Sequence, residues 1–122
     1  MKIQALPYEF TVCKVADYTE VDLTAAYCFI GKTDEENSLV CHTDKAPAHT
    51  LAREDGWRGF RIQGVLDFSL VGILAKIAGL LAQHQIPIFA VSTYNTDYIL
   101  LRKENYRKAL EVLRDAGYET EE

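Results

Sequence analysis

The chain has 122 residues, 48% of them hydrophobic and 25% charged, a composition typical of a globular protein with one compact domain or two small halves. Its formal net charge is −5 and it has no basic run, so nucleic acid is not an expected partner. No apolar stretch reaches the roughly 20 residues that a membrane-spanning helix needs, and no apolar signal-peptide core follows Met1 and Lys2. We therefore expect a cytoplasmic protein without a membrane partner.

The first half of the chain, residues 1–56, predicts strands without a clear helix. It carries all of the net charge, with five basic and ten acidic residues. Apolar and β-branched residues predict strands at about 10–15, 26–31 and 38–42. Residues 16–24 show no apolar stripe at helical spacing. This half therefore predicts an irregular unit.

The three cysteines predict buried, reduced thiols. Cys13, Cys28 and Cys41 form an odd set without CxxC spacing, among apolar or β-branched neighbours. A catalytic thiolate needs a base in an electropositive setting, and His42, next to Cys41, points to the opposite face of a strand. His42 and His49, with the acidic residue between them, do not have the spacing of a metal site. No metal and no cofactor are expected.

The second half, residues 57–122, begins with a strand and a helix. Residues 58–66 alternate roughly between apolar and polar side chains, which predicts a strand. From Leu70 the apolar residues fall at spacings of three and four, which predicts an amphipathic helix that begins near Ser69 and ends before Pro87.

A hairpin, a second helix and a last strand follow. Residues 86–93 and 97–102 predict two strands joined by a turn. Apolar residues between Tyr106 and Leu113 predict the helix, and Gly117 stands where a left-handed residue would follow its end. A short strand at 118–120 completes the series.

This order of elements predicts an α+β fold. Strand, helix, strand, strand, helix, strand is the βαββαβ pattern of a ferredoxin-like sandwich. We expect two halves: residues 57–122 as the regular unit, and residues 1–56 as a degenerate copy. Aligning residues 32–40 on 92–100 superimposes the two hairpins and places Asn37 on Asp97.

Four stretches carry a family resemblance: residues 57–64 (WRGFRIQG), 66–74 (LDFSLVGIL), 92–100 (STYNTDYIL) and 33–41 (TDEENSLVC). They resemble the ACT domain and, more narrowly, small stand-alone tandem-ACT proteins. That group is related to modules of the eukaryotic cytosolic arginine sensor and, more distantly, to the regulatory modules of aspartate kinase. The resemblance implies a non-catalytic regulatory protein that binds an amino acid, often as a dimer.

The loop between the first strand and the first helix of the second half is the main candidate site. Ser69 is a plausible N-cap, and no acidic residue follows it in the first turn, so an external carboxylate can dock there. Gly72 lets a ligand approach the backbone, and Asp67 can pair with an ammonium or guanidinium group. Capping of the helix by Asp67 and Ser69 is the open alternative. The predicted ligand contacts in this loop are Gly64, Asp67, Phe68, Ser69, Leu70 and Gly72.

The two hairpins supply the remaining candidates, Thr93, Asp97, Asn37 and Ser38. Asp97 begins an apolar strand and would face the ligand's cationic group, unless it serves only the turn. Asn37 and Ser38 can bond an amino acid's carboxylate or amine, unless they only form a turn. The expected site lies between the halves. Without Lys or Arg in either loop, it would prefer a basic or neutral amino acid.

Two other function classes remain open. An acylphosphatase-like enzyme on the same sandwich would need an Arg in an anion-binding loop, and residues 64–72 contain none. An interaction module that only dimerises is the other alternative. We expect a homodimer, because the fold leaves a sheet face or edge uncovered and isologous pairing covers such surfaces.

Overall fold

The computed structural model describes residues 2–63 and 72–122. Within this part the chain forms two α-helices, eight strands and a short 3₁₀ helix at Thr43–Lys45. In chain order the main elements are β1 (Lys2–Ala5), β2 (Phe10–Val15), β3 (Phe29–Lys32), β4 (Asn37–His42), β5 (Ala52–Ile62), α1 (Ile73–Gln83), β6 (Phe89–Ser92), β7 (Asp97–Arg102), α2 (Lys103–Asp115) and β8 (Glu119–Glu121). Neither helix is long and apolar enough to cross a membrane.

The chain divides into two compact units. The smaller unit is Tyr8–Trp57, and the larger unit combines the chain up to Pro7 with Arg58–Glu122. Strand β5 contributes its first residues to the smaller unit and its last residues to the larger one.

The larger unit has the predicted α+β architecture with an additional strand. Its strands lie in the order β6-β7-β5-β1-β8, and β1 pairs antiparallel with β5 and parallel with β8. The strand that follows α2 is therefore separated by β1 from the strand that precedes α1. The βαββαβ prediction is confirmed for residues 57–122, and the N-terminal strand inserts into it.

The core of the larger unit lies between its sheet and its helices. Apolar residues at spacings of three and four on α1 and α2 pack with alternate residues of β1, β5 and β7. The largest fully buried side chains of this core are Ile3, Phe60, Ile62, Ile77, Leu81, Ile99, Leu101, Leu110 and Leu113. Ile3 pairs directly with Ile62, so β1 is a central element of the core.

The smaller unit is built from β3, β4, β2 and the first part of β5, in that order. All of its neighbouring strands run antiparallel. Its core contains Cys13, Val15, Leu39 and Cys41, with Tyr18 among the partly buried side chains packed on them. Residues 16–24 form bends and turns rather than a helix, as predicted.

Several predicted boundaries were wrong. Strand β1 was missed, β5 begins at Ala52 rather than at about residue 58, and β6 is shorter than 86–93. Helix α1 begins at Ile73 with Gly72 as its N-cap, although the sequence predicted a start near Ser69. The predicted division placed residues 1–56 together, whereas β1 lies in the larger unit. Strands β2 and β7 and the left-handed Gly117 after α2 were predicted correctly.

Candidate functional site

The β6–β7 hairpin of the larger unit is fixed against the end of β5. The backbone N–H and the Oγ1 of Thr93 both donate to the carbonyl of Thr96, each at 2.9 Å. The buried Oγ1 of Thr96 in turn donates to the carbonyl of Ile62, also at 2.9 Å. Because residue 64 begins the segment predicted to bind ligand, the turn lies beside the point where the chain enters that segment.

Asp97 is the acidic group of this turn. It is half-buried, opens β7 and pairs with Ser92 across the hairpin. The hydroxyl of Ser92 donates to Asp97 Oδ1 at 2.6 Å. An ionised carboxylate has about four acceptor positions, and among the described residues the bond from Ser92 takes up one of them. Another can accept from a ligand's ammonium or guanidinium.

Gly72 and the first turns of α1 line a cavity of 510 Å³. Gly72 has φ 81°, a left-handed backbone conformation that favours glycine, and within the described part of the chain no side-chain cap bond is seen at this helix start. The first turn of α1 contains no acidic residue. The other described residues that line it are Ile73, Lys76, Leu80, Ala116, Gly117 and Tyr118. Among these described residues only Lys76 carries a formal charge.

Lys76 was missed by the sequence reasoning, which considered charges only within the loops. Its backbone N–H bonds to the carbonyl of Gly72 at 2.8 Å, so it lies one helical turn beyond the N-cap. The signal was its spacing of four residues from Gly72, which places it on the same helix face as the N-cap. A cation here favours an anionic group in the cavity.

In the smaller unit, Asn37 and Ser38 make contacts within their own fold. The side-chain amide of Asn37 donates to the carbonyl of Ala16 at 2.9 Å, and its Oδ1 accepts from Lys32 Nζ at 3.1 Å. The carbonyl of Ser38 accepts from the hydroxyl of Tyr18 at 3.0 Å. These bonds support the turn-forming interpretation of Asn37 that the sequence left open.

The β3–β4 and β6–β7 hairpins have the same register. Each paired residue of the second hairpin is numbered sixty higher than its counterpart: Lys32 pairs with Asn37, and Ser92 pairs with Asp97. Strands β4 and β7 share the same pattern of burial along their length. The registers agree with the predicted alignment of the two hairpins, which places Asn37 on Asp97.

The ten predicted ligand contacts are distributed as follows. Gly72, Thr93 and Asp97 lie in the larger unit, and Asn37 and Ser38 lie in the smaller one. Gly64, Asp67, Phe68, Ser69 and Leu70 lie outside the described residues.

The thiols do not have the properties of nucleophiles. Burial raises the pKa of Cys41 to about 12, and it also raises the pKa values of Cys13 and Cys28. A thiol with a raised pKa stays protonated and inert near neutral pH. Among residues 2–63 and 72–122, no group of three or more His, Cys, Asp or Glu side chains could hold a metal ion.

The comparisons identify the family. The sequence model of the ACT domain family matches residues 52–115, more than half of the chain. The human protein named cytosolic arginine sensor for mTORC1 subunit 1 is 41% identical over 59 residues, which is 48% of this chain and 18% of the sensor. The chain therefore spans less than a fifth of that relative's length. The resemblance predicted from the motifs is confirmed.

Solved structures share the fold over nearly the whole chain. Protein Atu0741 from Agrobacterium tumefaciens has a TM-score of 0.86 and 28% identity, with 98% of this chain and 90% of that one covered. The ligand-free regulatory subunit of aspartate kinase from Thermus thermophilus has a TM-score of 0.64 and 11% identity, with 94% and 96% covered. The second likeness shows the fold alone.

Proposed function

The chain belongs to the ACT domain family, and from this premise we propose that it is a regulatory protein that binds a free amino acid and catalyses no reaction. The observation that carries the proposal is the family match over residues 52–115, which takes in β5, α1, β6, β7 and α2. The human relative is named an arginine sensor, which supports a role in binding an amino acid.

We place the ligand in the larger unit, around residues 64–72 and the turn that ends at Asp97. The bond between Thr96 and Ile62 supports this location, because it holds the turn at the strand end that leads into the segment. Thr93 and Asp97 lie on the turn, and Gly72 lies at the far end of the segment. We also propose the ligand contacts that the sequence predicted in this segment: Gly64, Asp67, Phe68, Ser69 and Leu70. Ligand contacts by Asn37 and Ser38 stay predictions.

The charges favour a basic or neutral amino acid. The start of α1, with Lys76 in the adjoining cavity, suits the ligand's carboxylate. Asp97 suits its cationic group. A second carboxylate on the ligand would face Asp97 and, in our proposal, Asp67, so aspartate and glutamate are disfavoured. We place arginine first, because the human relative is named an arginine sensor.

A thermal-shift screen of the twenty amino acids tests this function. A ligand that binds the native state at 100 times its dissociation constant adds about 2.7 kcal/mol of stability. Calorimetry of the best ligand with Asp97→Asn should then show binding weaker by about 1.5 to 3 kcal/mol, roughly tenfold to a hundredfold. Glu104→Gln, an exposed charge in the first turn of α2 and at the opposite end of that helix from the cavity lining, is the control and should bind normally.

The outcomes separate the candidate functions. No stabilisation by any amino acid would favour a module that only dimerises. Tight binding of aspartate or glutamate, or normal binding by Asp97→Asn, would refute the charge argument. Reproducible turnover of acyl phosphates, abolished by a point substitution, would overturn the non-catalytic role.

A homodimer and a cytoplasmic location complete the proposal. Strand β6 lies at the edge of the larger unit's sheet, and an uncovered edge is a common place for two copies to pair. Sedimentation at micromolar concentration should give a dimer, and a strict monomer would remove this part. The human relative is named a cytosolic sensor, which supports the proposed location.

A further inference from the structure

A second cavity, of 280 Å³, lies entirely within the smaller unit. It is lined by Tyr8, Ala25, Ala26, Tyr27, His42 and Lys45. Small-molecule pockets commonly measure about 300 to 1,000 Å³, so this cavity suits a ligand no larger than a single-ring compound. None of these six residues belongs to the predicted amino-acid site.

The walls of this cavity are aromatic rings held against one another. The ring of Tyr8 lies 4.5 Å from that of His42 and 5.8 Å from that of Tyr27, measured between centroids. Tyr27 also makes an edge-to-face contact with the fully buried Phe10, at 6.2 Å. A planar molecule can stack on the Tyr27 ring at little entropic cost, because the contact with the buried Phe10 already holds that ring in place.

The backbone of Tyr27 is strained. Its φ is 59°, in the left-handed region that bulky residues rarely adopt. Such conformations cost on the order of 1 to 3 kcal/mol and concentrate at binding sites. Tyr27 comes just before β3, and its side chain lines the cavity.

One cation stands at the edge of the cavity. Lys45 Nζ lies 3.9 Å from Asp22 Oδ2, and both side chains are about half exposed. Asp22 Oδ1 already accepts two bonds from Thr24, at 3.0 Å from its backbone N–H and 2.5 Å from its hydroxyl. An ion pair this long and this exposed is weak, so the ammonium can turn to a ligand.

We propose that this cavity is a second ligand site and that its ligand is a small planar carboxylic acid of the aromatic acid class. The rings of Tyr8, Tyr27 and His42 would take the planar part, and Lys45 would take the carboxylate. Because Lys45 is the formally charged residue among the lining side chains, an amine of the same shape should bind more weakly than the acid.

Nuclear magnetic resonance of the full chain, labelled with ¹⁵N, tests the site with benzoate as the probe. Shifts should concentrate on residues 25–27 and 42–45, with a dissociation constant on the order of 1 mM for so small a molecule. Benzamide, which keeps the ring without the charge, and cyclohexanecarboxylate, which keeps the charge without the planar ring, should bind more weakly. Benzylamine should bind more weakly than benzoate.

Variants assign the roles. Lys45→Gln should raise the dissociation constant about two- to fivefold, because the charge is partly exposed, and Tyr8→Leu should raise it about three- to tenfold. Lys14→Gln, an exposed lysine on β2 away from the cavity lining, is the matched control and should bind as the unaltered protein does. Circular dichroism checks that each variant folds.

The proposal is overturned if benzoate causes no shift in these residues well above that concentration. It is equally overturned if Lys45→Gln and Tyr8→Leu bind as tightly as Lys14→Gln, or if benzylamine binds as well as benzoate. Shifts confined to Gly72 and the Thr93–Asp97 turn would place benzoate at the proposed amino-acid site instead, so failure here is distinguishable from failure there.

Discussion

Gly59 lies where the larger unit leaves no room for a side chain, so replacing it with alanine should destabilise the fold. A Cβ at this position would stand 3.3 Å from the backbone oxygen of Ile99 and 3.3 Å from Cγ of the buried Leu100. The carbonyl of Gly59 also accepts bonds of 2.9 Å from Leu6 N and from the hydroxyl of Tyr106. The backbone here is held on two sides and cannot move away easily.

The expected loss of stability in Gly59→Ala is the balance of two effects. Overpacking of this kind costs about 1 to 3 kcal/mol, and the reduced freedom of the unfolded chain returns about 0.4 to 1 kcal/mol. A net loss of about 1 to 2 kcal/mol should lower the midpoint of thermal unfolding by about 4 to 8 °C for a chain of this size. Urea denaturation followed by circular dichroism gives the free energy of unfolding independently.

Gly31 provides the matched control for this experiment. It also lies within a strand, but its added Cβ would meet only Ser38 Cβ, at an ordinary 3.7 Å. Gly31→Ala should therefore be neutral or stabilising by up to about 1 kcal/mol. If Gly59→Ala proved as stable as Gly31→Ala, the close approach inferred at Gly59 would be refuted.

Two further predictions concern α1 and the smaller unit. Gly79→Ala should stabilise the protein by about 0.5 to 1 kcal/mol, since nothing lies within 4 Å of its added Cβ. Gly72→Ala should destabilise it, because φ there is +81°. The two substitutions should therefore shift the midpoint of thermal unfolding in opposite directions. Hydrogen bonds from Arg53 and Thr11 hold the pKa of Asp55 below its usual range. The contribution of ionised Asp55 to folding stability is therefore present above the unfolded pKa of about 3.9, and it is lost as pH falls through the lower pKa of the folded state. Asp55→Asn should lower the urea midpoint at pH 7, and the difference in midpoint from the unaltered protein should shrink in acid. A difference that stayed the same in acid would contradict a stabilising role for ionised Asp55.

The elements that the sequence predicted well have patterns that repeat locally. Helix α2 places Tyr106, Ala109, Leu110 and Leu113 on one buried face, and Gly117 follows its end with φ 100°. Strand β7 is a short apolar run after a turn. In both cases the residues that form the element also specify its limits, so no distant partner is needed to recognise it.

The missed elements depend on partners far along the chain. Strand β1 is only four residues long, and its stability comes from pairing with residues 60–62 and 119–121. The first part of β5 contains Arg53, Glu54 and Asp55, which have low strand propensity or carry exposed charge. It is a strand because it pairs with β2, and pairing between distant residues overrides local preference.

In the candidate sites too, locally determined features were predicted and those that depend on distant residues were missed. Thr93 and Asp97 were recognised from their position in a predicted turn, but Thr96, whose hydroxyl fixes the turn on Ile62, was not. The aromatic cavity could not be predicted, because it depends on a left-handed backbone at Tyr27 and on rings brought together from separate strands and turns.

The repeated hairpins indicate which part of the amino-acid site is structural and which is chemical. Lys32 donates to the side chain of Asn37 in one hairpin, and Ser92 donates to Asp97 at the same position of the other. Both hairpins therefore use an oxygen acceptor here, and Asp97 adds a negative charge that its counterpart lacks. Asparagine at position 97 would keep the acceptor and remove only the charge. A loss of ligand binding in Asp97→Asn without a loss of stability would therefore assign that charge to the ligand rather than to the turn.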